Sequence, residues 1–123
     1  GVLREGLLSK LGHIALPMDA LLYQAGCCRI DGGGMYLVGA PAGPAALCAE
    51  GTGDKTLLVK ELIGSPEAVD QIAAVLPQLL PKFGGTYRTL GDSVPFGMMK
   101  WLSPELDQAW DRDIRAYLGL AFD

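Results

Sequence analysis

The apolar positions change period along the chain, and each change marks an element. In the first eleven residues, Leu3, Leu7, Leu8 and Leu11 recur at helical spacing on one face, and Gly12 ends the run. A second, short helix is predicted over 18–24, closed by Gly26. Four short apolar stretches follow, at 27–30, 35–40, 45–50 and 56–63. The breaks between them read Asp31-Gly32-Gly33-Gly34, Pro41-Ala42-Gly43-Pro44 and Gly51-Thr52-Gly53-Asp54-Lys55. Such residues supply positive φ or a fixed turn angle, so each break predicts a hairpin connection. The pattern is that of a four-stranded antiparallel meander.

In the last of these strands Leu57, Val59 and Ile63 fall on one face, and Leu58 and Leu62 on the other. Apolar residues on both faces predict a central strand covered on both sides. Lys60 and Glu61 interrupt it, one on each face, and charges there need a partner or a cleft. Ser65-Pro66-Glu67 then opens a helix: Ser65 as N-cap, Pro66 at the first position, Glu67 at the positive end. Val69, Ile72, Ala73, Leu76, Leu79 and Phe83 form its apolar stripe; Pro77 should shorten or kink it, and Gly84-Gly85 should end it. A strand over 86–90 after that helix implies a right-handed crossover and a parallel partner, hence a mixed sheet.

Ser103-Pro104-Glu105 predicts a C-terminal helix with Leu106, Ala109, Trp110, Ile114, Tyr117 and Leu118 inward, and Asp111 four before Arg115 outward. The aromatic and methionine cluster from Val94 to Leu102, centred on Phe96 to Trp101, reads as core or interface. The expected fold class is α+β: a meander extended by a β-α-β crossover, with flanking helices. Within one domain, 1–123, an N-terminal helical segment (1–26) precedes the mixed sheet (27–102) and the C-terminal helix (103–123).

Composition narrows the function. With 10 Lys and Arg against 14 Asp and Glu, the net charge of −4 lacks the basic footprint of a nucleic-acid binder. The acids Glu105, Asp107, Asp111, Asp113 and Asp123 concentrate that charge at the C-terminal end, as a solvated helix face. No apolar run is long enough to span a membrane, and no leader pattern opens the chain. Gly1 in place of an initiator methionine reads as a cleavage scar on a fragment of a longer protein. The three cysteines include no C-x-x-C pair and point to a reducing, cytoplasmic setting. On a strand, Cys27 and Cys28 would face opposite sides; with Cys48 they read as small buried hydrophobes and hold no metal. His13, the single histidine, sits beside Gly12 in a predicted loop, surface-exposed or partly packed rather than catalytic.

The order of elements from Met35-Tyr36-Leu37-Val38-Gly39 through Ala45 to Glu50 and Thr56 to Leu62 resembles the central meander of GNAT-type N-acetyltransferases. The helix after Ser65 and the strand after it resemble that family's crossover. Pro95-Phe96-Gly97-Met98-Met99 resembles the end of the C-terminal domain in bacterial two-domain GNAT proteins, and the likeness covers 27–102. It implies acetyl-coenzyme A as cofactor, lying where the strand ahead of the helix splays from its neighbour, with its pyrophosphate on N–H groups at the helix start. The family's loop reads Gln/Arg-x-x-Gly-x-Gly/Ala; here Ile63-Gly64-Ser65-Pro66-Glu67-Ala68 stands in its place. Ile63, Gly64 and Ser65 are the candidate cofactor contacts. Pro66 removes an N–H, and Glu67 puts a negative charge where a phosphate would go.

Glu61 is the candidate general base, since some GNAT enzymes use a strand glutamate to accept the amine's proton, and burial would raise its pKa. Alternatively Glu61 pairs with a basic neighbour such as Arg88. Tyr87 and Tyr117 lie in no motif that matches the family's thiolate-reprotonating tyrosine. The reading is therefore a degenerate GNAT-like domain, partnered by an N-terminal catalytic domain of the same protein and structural or acceptor-site shaping in role. The alternative is a non-enzymatic interaction module, dimerising through the meander's outer edge. A third is a small-molecule binder using the gap beside Glu61.

Overall fold

A computed structural model describes residues 1–91, 100–117 and 119–122. Helix α1 (Val2–Leu8) is followed by the two-residue strand β1 (Gly12–His13) and by helix α2 (Met18–Ile30). Strands β2 (Gly34–Ala40), β3 (Gly43–Gly51) and β4 (Leu57–Ile63) lead to helix α3 (Pro66–Leu79) and strand β5 (Phe83–Thr89). Helix α4 (Pro104–Ala109), strand β6 (Ala116–Tyr117) and a 3-10 turn (Gly119–Phe122) complete the order. The main sheet runs β2-β3-β4-β5, antiparallel in its first two pairings and parallel in the last. The chain is α+β with a mixed four-stranded sheet.

The meander has three strands rather than four, because residues 27–30 finish α2. Gly26 does not stop that helix. Leu21, Ala25 and Cys28 follow one another at spacings of four and three and are all buried, so continuing the helix buries a complete face. That outweighs the roughly 1 kcal/mol a mid-helix glycine costs. The stop comes at Asp31-Gly32, where Gly32 takes φ 81°.

Strand β4 departs from simple alternation. Cys48 pairs with Glu61, but the next β3 residue, Ala49, pairs with Val59, so Lys60 is an extra residue bulged out of the ladder. The bulge moves Leu62 onto the face that already holds Leu57 and Val59, where all three pack with Val69, Ile72, Leu76 and Leu80. Ile63 turns to the other face. Lys60 and Glu61 accordingly share a face instead of taking opposite ones. Lys60 pairs with Glu50, and Glu61 stands opposite Cys48, two residues away on the same side of β3.

Helix α3 starts as its sequence dictates: Ser65 Oγ accepts from the Ala68 N–H at 3.2 Å, and Pro66 takes the first helical position. Pro77 lies inside the helix, where it leaves the Ala73 carbonyl without its i+4 N–H, and the helix ends two residues later. Gly84 and Gly85 do not end it; they lie inside β5, which begins at Phe83.

The C-terminal helix is far shorter than its periodicity predicts. Ser103 caps α4, but Trp110 already has extended backbone angles. The indole of Trp110 instead packs over Gly12, where a Cβ would come within 2.2 Å of the ring, and lies 5.4 Å from the Trp101 ring. Ala116 and Tyr117 then pair in parallel with Gly12 and His13. Glu105 and Asp107 lie on α4 and Asp111 and Asp113 in the turns after it, Asp123 falls outside the described residues, and Arg112 pairs with Asp107. Residues 94–99 of the aromatic and methionine cluster lie outside the described residues. Among the described residues, no helix is long and apolar enough to cross a membrane.

Candidate functional site

The face of the sheet opposite α3 is covered by α1, α2 and the C-terminal segment, and it holds the one deeply buried charge pair among the described residues. Arg4, on α1, is 4% exposed, and Glu61, beside the bulge of β4, is 1% exposed. Arg4 Nε donates to Glu61 Oε2 at 2.8 Å and Nη2 to Oε1 at 2.9 Å, the two-pronged geometry in which a guanidinium matches a carboxylate. Tyr117 Oη donates to Glu61 Oε1 at 2.7 Å. Burial works against the charge on Arg4, but the bonds and charge of Glu61 outweigh it and hold the guanidinium above its ordinary pKa. Gly119 closes the site at φ 43°, where a Cβ would lie 2.8 Å from Glu61 Oε1 and 2.5 Å from the Tyr117 ring.

The network continues outward. Arg4 Nη1 donates to Glu5 Oε1 at 3.1 Å, and Glu5 Oε2 lies 2.8 Å from His13 Nε2. His13 Nδ1 donates to the Leu11 carbonyl at 3.0 Å. Both ring nitrogens thus face acceptors, which only the imidazolium satisfies as a double donor. The bond to Leu11 O and then that to Glu5 raise the His13 pKa, and His13 is the main cause that lowers the pKa of Glu5. His13 is also the backbone partner of Tyr117, so the series from Tyr117 through Glu61, Arg4, Glu5 and His13 closes on itself.

Beside the ion pair, a cleft of about 250 Å³ opens between the two helices and the β2–β3 hairpin. Arg4 and Glu61 line it together with the apolar Met18, Leu22, Met35 and Leu37. Beneath α2, the Cys28 and Cys48 sulfurs lie 3.5 Å apart, both buried and unoxidised, while Cys27 is half-buried on the same helix. Burial, then the neighbouring Cys28, pushes the Cys48 thiol pKa up. Among the described residues, no group of three or more His, Cys, Asp or Glu side chains is placed to hold a metal ion.

The predicted residues do not converge. Glu61 faces α1, whereas Ser65 starts the helix that covers the opposite face. Ile63 is fully buried opposite Ala46, and Gly64 is packed against Ala45, whose Cβ would lie 3.1 Å from an added one. At the start of α3, Pro66 has no N–H and Ser65 occupies that of Ala68. Those two positions offer a pyrophosphate no free N–H. Strand pairing also persists at the end of β4, where Leu62 pairs with Thr89 and Thr89 Oγ1 donates to the Leu62 carbonyl at 2.8 Å.

Glu61 pairs with Arg4, not with the Arg88 that the sequence offered. Arg4 carried a signal: it lies four residues before the buried Leu8, on the helix's inward stripe, where a charge needs a partner. Tyr117 carried none, because the expected helix gave its ring a different direction. No protein-family model, curated protein or solved structure matches the chain.

Proposed function

We propose that this chain is a GNAT-like domain that has given up coenzyme binding and serves to shape the acceptor side of an acetyltransferase-related protein. The observation that carries the reading is the start of α3: Ser65, Pro66 and Glu67 satisfy or block the positions that a pyrophosphate would need. Three features support the family part of it. Two helices precede the meander, α3 follows β4, and β5 returns parallel beside β4. The apolar cleft floored by Arg4 and Glu61 supplies a wall against which an amphipathic acceptor fits.

Glu61 takes a positioning role in this reading. Its carboxylate accepts two bonds from Arg4 and one from Tyr117, so it anchors α1 and the C-terminal segment to β4 instead of waiting for an amine proton. The transfer chemistry would belong to a catalytic domain of the same full-length protein, in the bacterial cytoplasm.

A thermal-unfolding titration with acetyl-coenzyme A tests the proposal. A ligand that binds only the native state raises the melting temperature by mass action. The expected result is no shift at millimolar coenzyme and no acetylation of model amines. A dose-dependent rise, or amine turnover that Glu61→Gln abolishes, would overturn it. Glu67→Gln reports on the cause: a shift that emerges only in this variant identifies the carboxylate as the obstacle.

A further inference from the structure

The two edges of the sheet are built differently. At one edge, β5 pairs with β4 through two interruptions of register, carries Gly85 at φ 82° and bears Arg88. Irregularity and charge are the usual means by which an edge strand avoids pairing with another chain. At the other edge, β2 has none of them. Gly34 to Ala40 pairs with β3 in unbroken register, and the sequence Gly-Met-Tyr-Leu-Val-Gly-Ala holds no charge and no proline. Every second residue of such a strand turns its N–H and C=O away from its one neighbour. Among the described residues β3 is the only strand paired with β2, so that row meets no other strand.

The side chains along this edge are apolar as well. Leu37 is 68% exposed and Tyr36 43% exposed, although strand residues of this type normally gain by burial. The apolar surface continues from Leu37 onto α2 through Met18 and Leu22, both exposed.

We infer that the β2 edge is the interface for a second copy of this chain, joined by antiparallel pairing of the two β2 strands about Leu37. That register sets Leu37 against Leu37 of the copy, Tyr36 against Val38, Met35 against Gly39 and Gly34 against Ala40. The strand is complementary to itself. No like charges meet across the two-fold axis, and each pair joins residues that suit a strand. The contact is isologous and closes on itself. It joins two four-stranded sheets into one of eight, whose two remaining edges, among the described residues, are the irregular β5 strands, so assembly stops at the dimer.

Sedimentation velocity of the full chain over a range of concentrations tests the inference. The expected result is a rise in mass from 13.0 kDa to twice that value. Leu37→Lys sets two ammonium groups against each other on the axis and should weaken association about tenfold or more. Because Leu37 is exposed in the single chain, the variant should unfold at the temperature of the parent chain diluted below the concentration at which it dimerises. Leu37→Cys, combined with Cys27→Ser, provides an arm without added charge. Directly paired antiparallel residues lie within disulfide reach, so mild oxidation should give a covalent dimer. Thr86→Cys, on the β5 edge, should give none. A chain that stays monomeric at every concentration overturns the inference, as does a dimer that survives Leu37→Lys or fails to cross-link through Leu37→Cys.

Discussion

Arg4 and Glu61 stand 57 residues apart in sequence and meet through two hydrogen bonds, each side chain almost wholly buried. One belongs to the first helix and the other to the central strand of the sheet. The pair therefore fastens α1 to β4 at the point where the bulge turns Glu61 away from the α3 core.

Removing one partner should cost more than removing both. Arg4→Met leaves the Glu61 carboxylate buried with only Tyr117 to serve it, and breaking a buried pair in this way costs about 3–5 kcal/mol. Arg4→Met with Glu61→Leu removes both charges and should recover most of that loss. Urea unfolding of the two variants checks the point. A single variant within about 1 kcal/mol of the parent chain would show that the pair contributes little.

The outer part of the same network predicts a dependence on pH. The raised pKa of His13 means that its contribution is complete below the ordinary value of 6.5 and is lost as pH rises through the raised one. The lowered pKa of Glu5 works at the other limb: its contribution is complete above the ordinary 4.5 and is lost as pH falls through the lowered value. The Glu5–His13 contribution should therefore be greatest between those two ordinary values. Glu5→Gln should remove the acid limb and shrink the alkaline one, which the bond from His13 to the Leu11 carbonyl keeps in part, when melting temperature is followed against pH. An unchanged profile would place the titration elsewhere.

What the sequence discloses and what it hides follow from the range of the interactions. The two hairpins and the start of α3 are local events, written in Pro-Ala-Gly-Pro, Gly-Thr-Gly-Asp-Lys and Ser-Pro-Glu, and the fold keeps them, whereas Asp31-Gly32, which reads as a third hairpin, ends α2 instead. The parallel return of β5 follows from the crossover alone. By contrast, Gly26 looked like a helix stop because the benefit of continuing arises only when Cys28 meets Cys48 on the sheet. The C-terminal stripe looked helical because it has the period, but Trp110 gains more by lying over Gly12. Within the site, Glu61 was conspicuous as a charge in an apolar strand. Its partner was set by topology, which no spacing within β4 encodes.

Thiol reactivity should separate the cysteines by position. Cys27 is half-buried, whereas Cys28 and Cys48 are sealed between α2 and β3, and the raised pKa of Cys48 disfavours its thiolate. Brief alkylation of the native chain should label Cys27 first, with Cys28 and Cys48 labelled only in denaturant. Peptide mass mapping reads the order. Early labelling at Cys48 would mean that α2 opens readily.

The bulge yields the sharpest test of the sheet's construction. Alternation in a strand has period two, so losing one residue normally turns every later side chain to the wrong face. Lys60 is the exception, because it is the residue that has no counterpart in β3. Deleting it leaves Leu57, Val59 and Leu62 facing α3 and Glu61 facing Arg4, now in plain alternation. The loss includes the pairing of the buried Lys60 with Glu50. The deletion should fold and lie within about 2 kcal/mol of the parent chain, since it removes the buried ammonium altogether and the charge left behind, Glu50, is about a third exposed and stays solvated. Deleting Val59 gives a strand of the same length but puts Lys60 in its place against Ile72 and Leu76. A lysine left there without a partner should prevent stable folding. Circular dichroism and urea unfolding of the two deletions decide the matter: equal damage from both would mean that Lys60 is not the bulged residue.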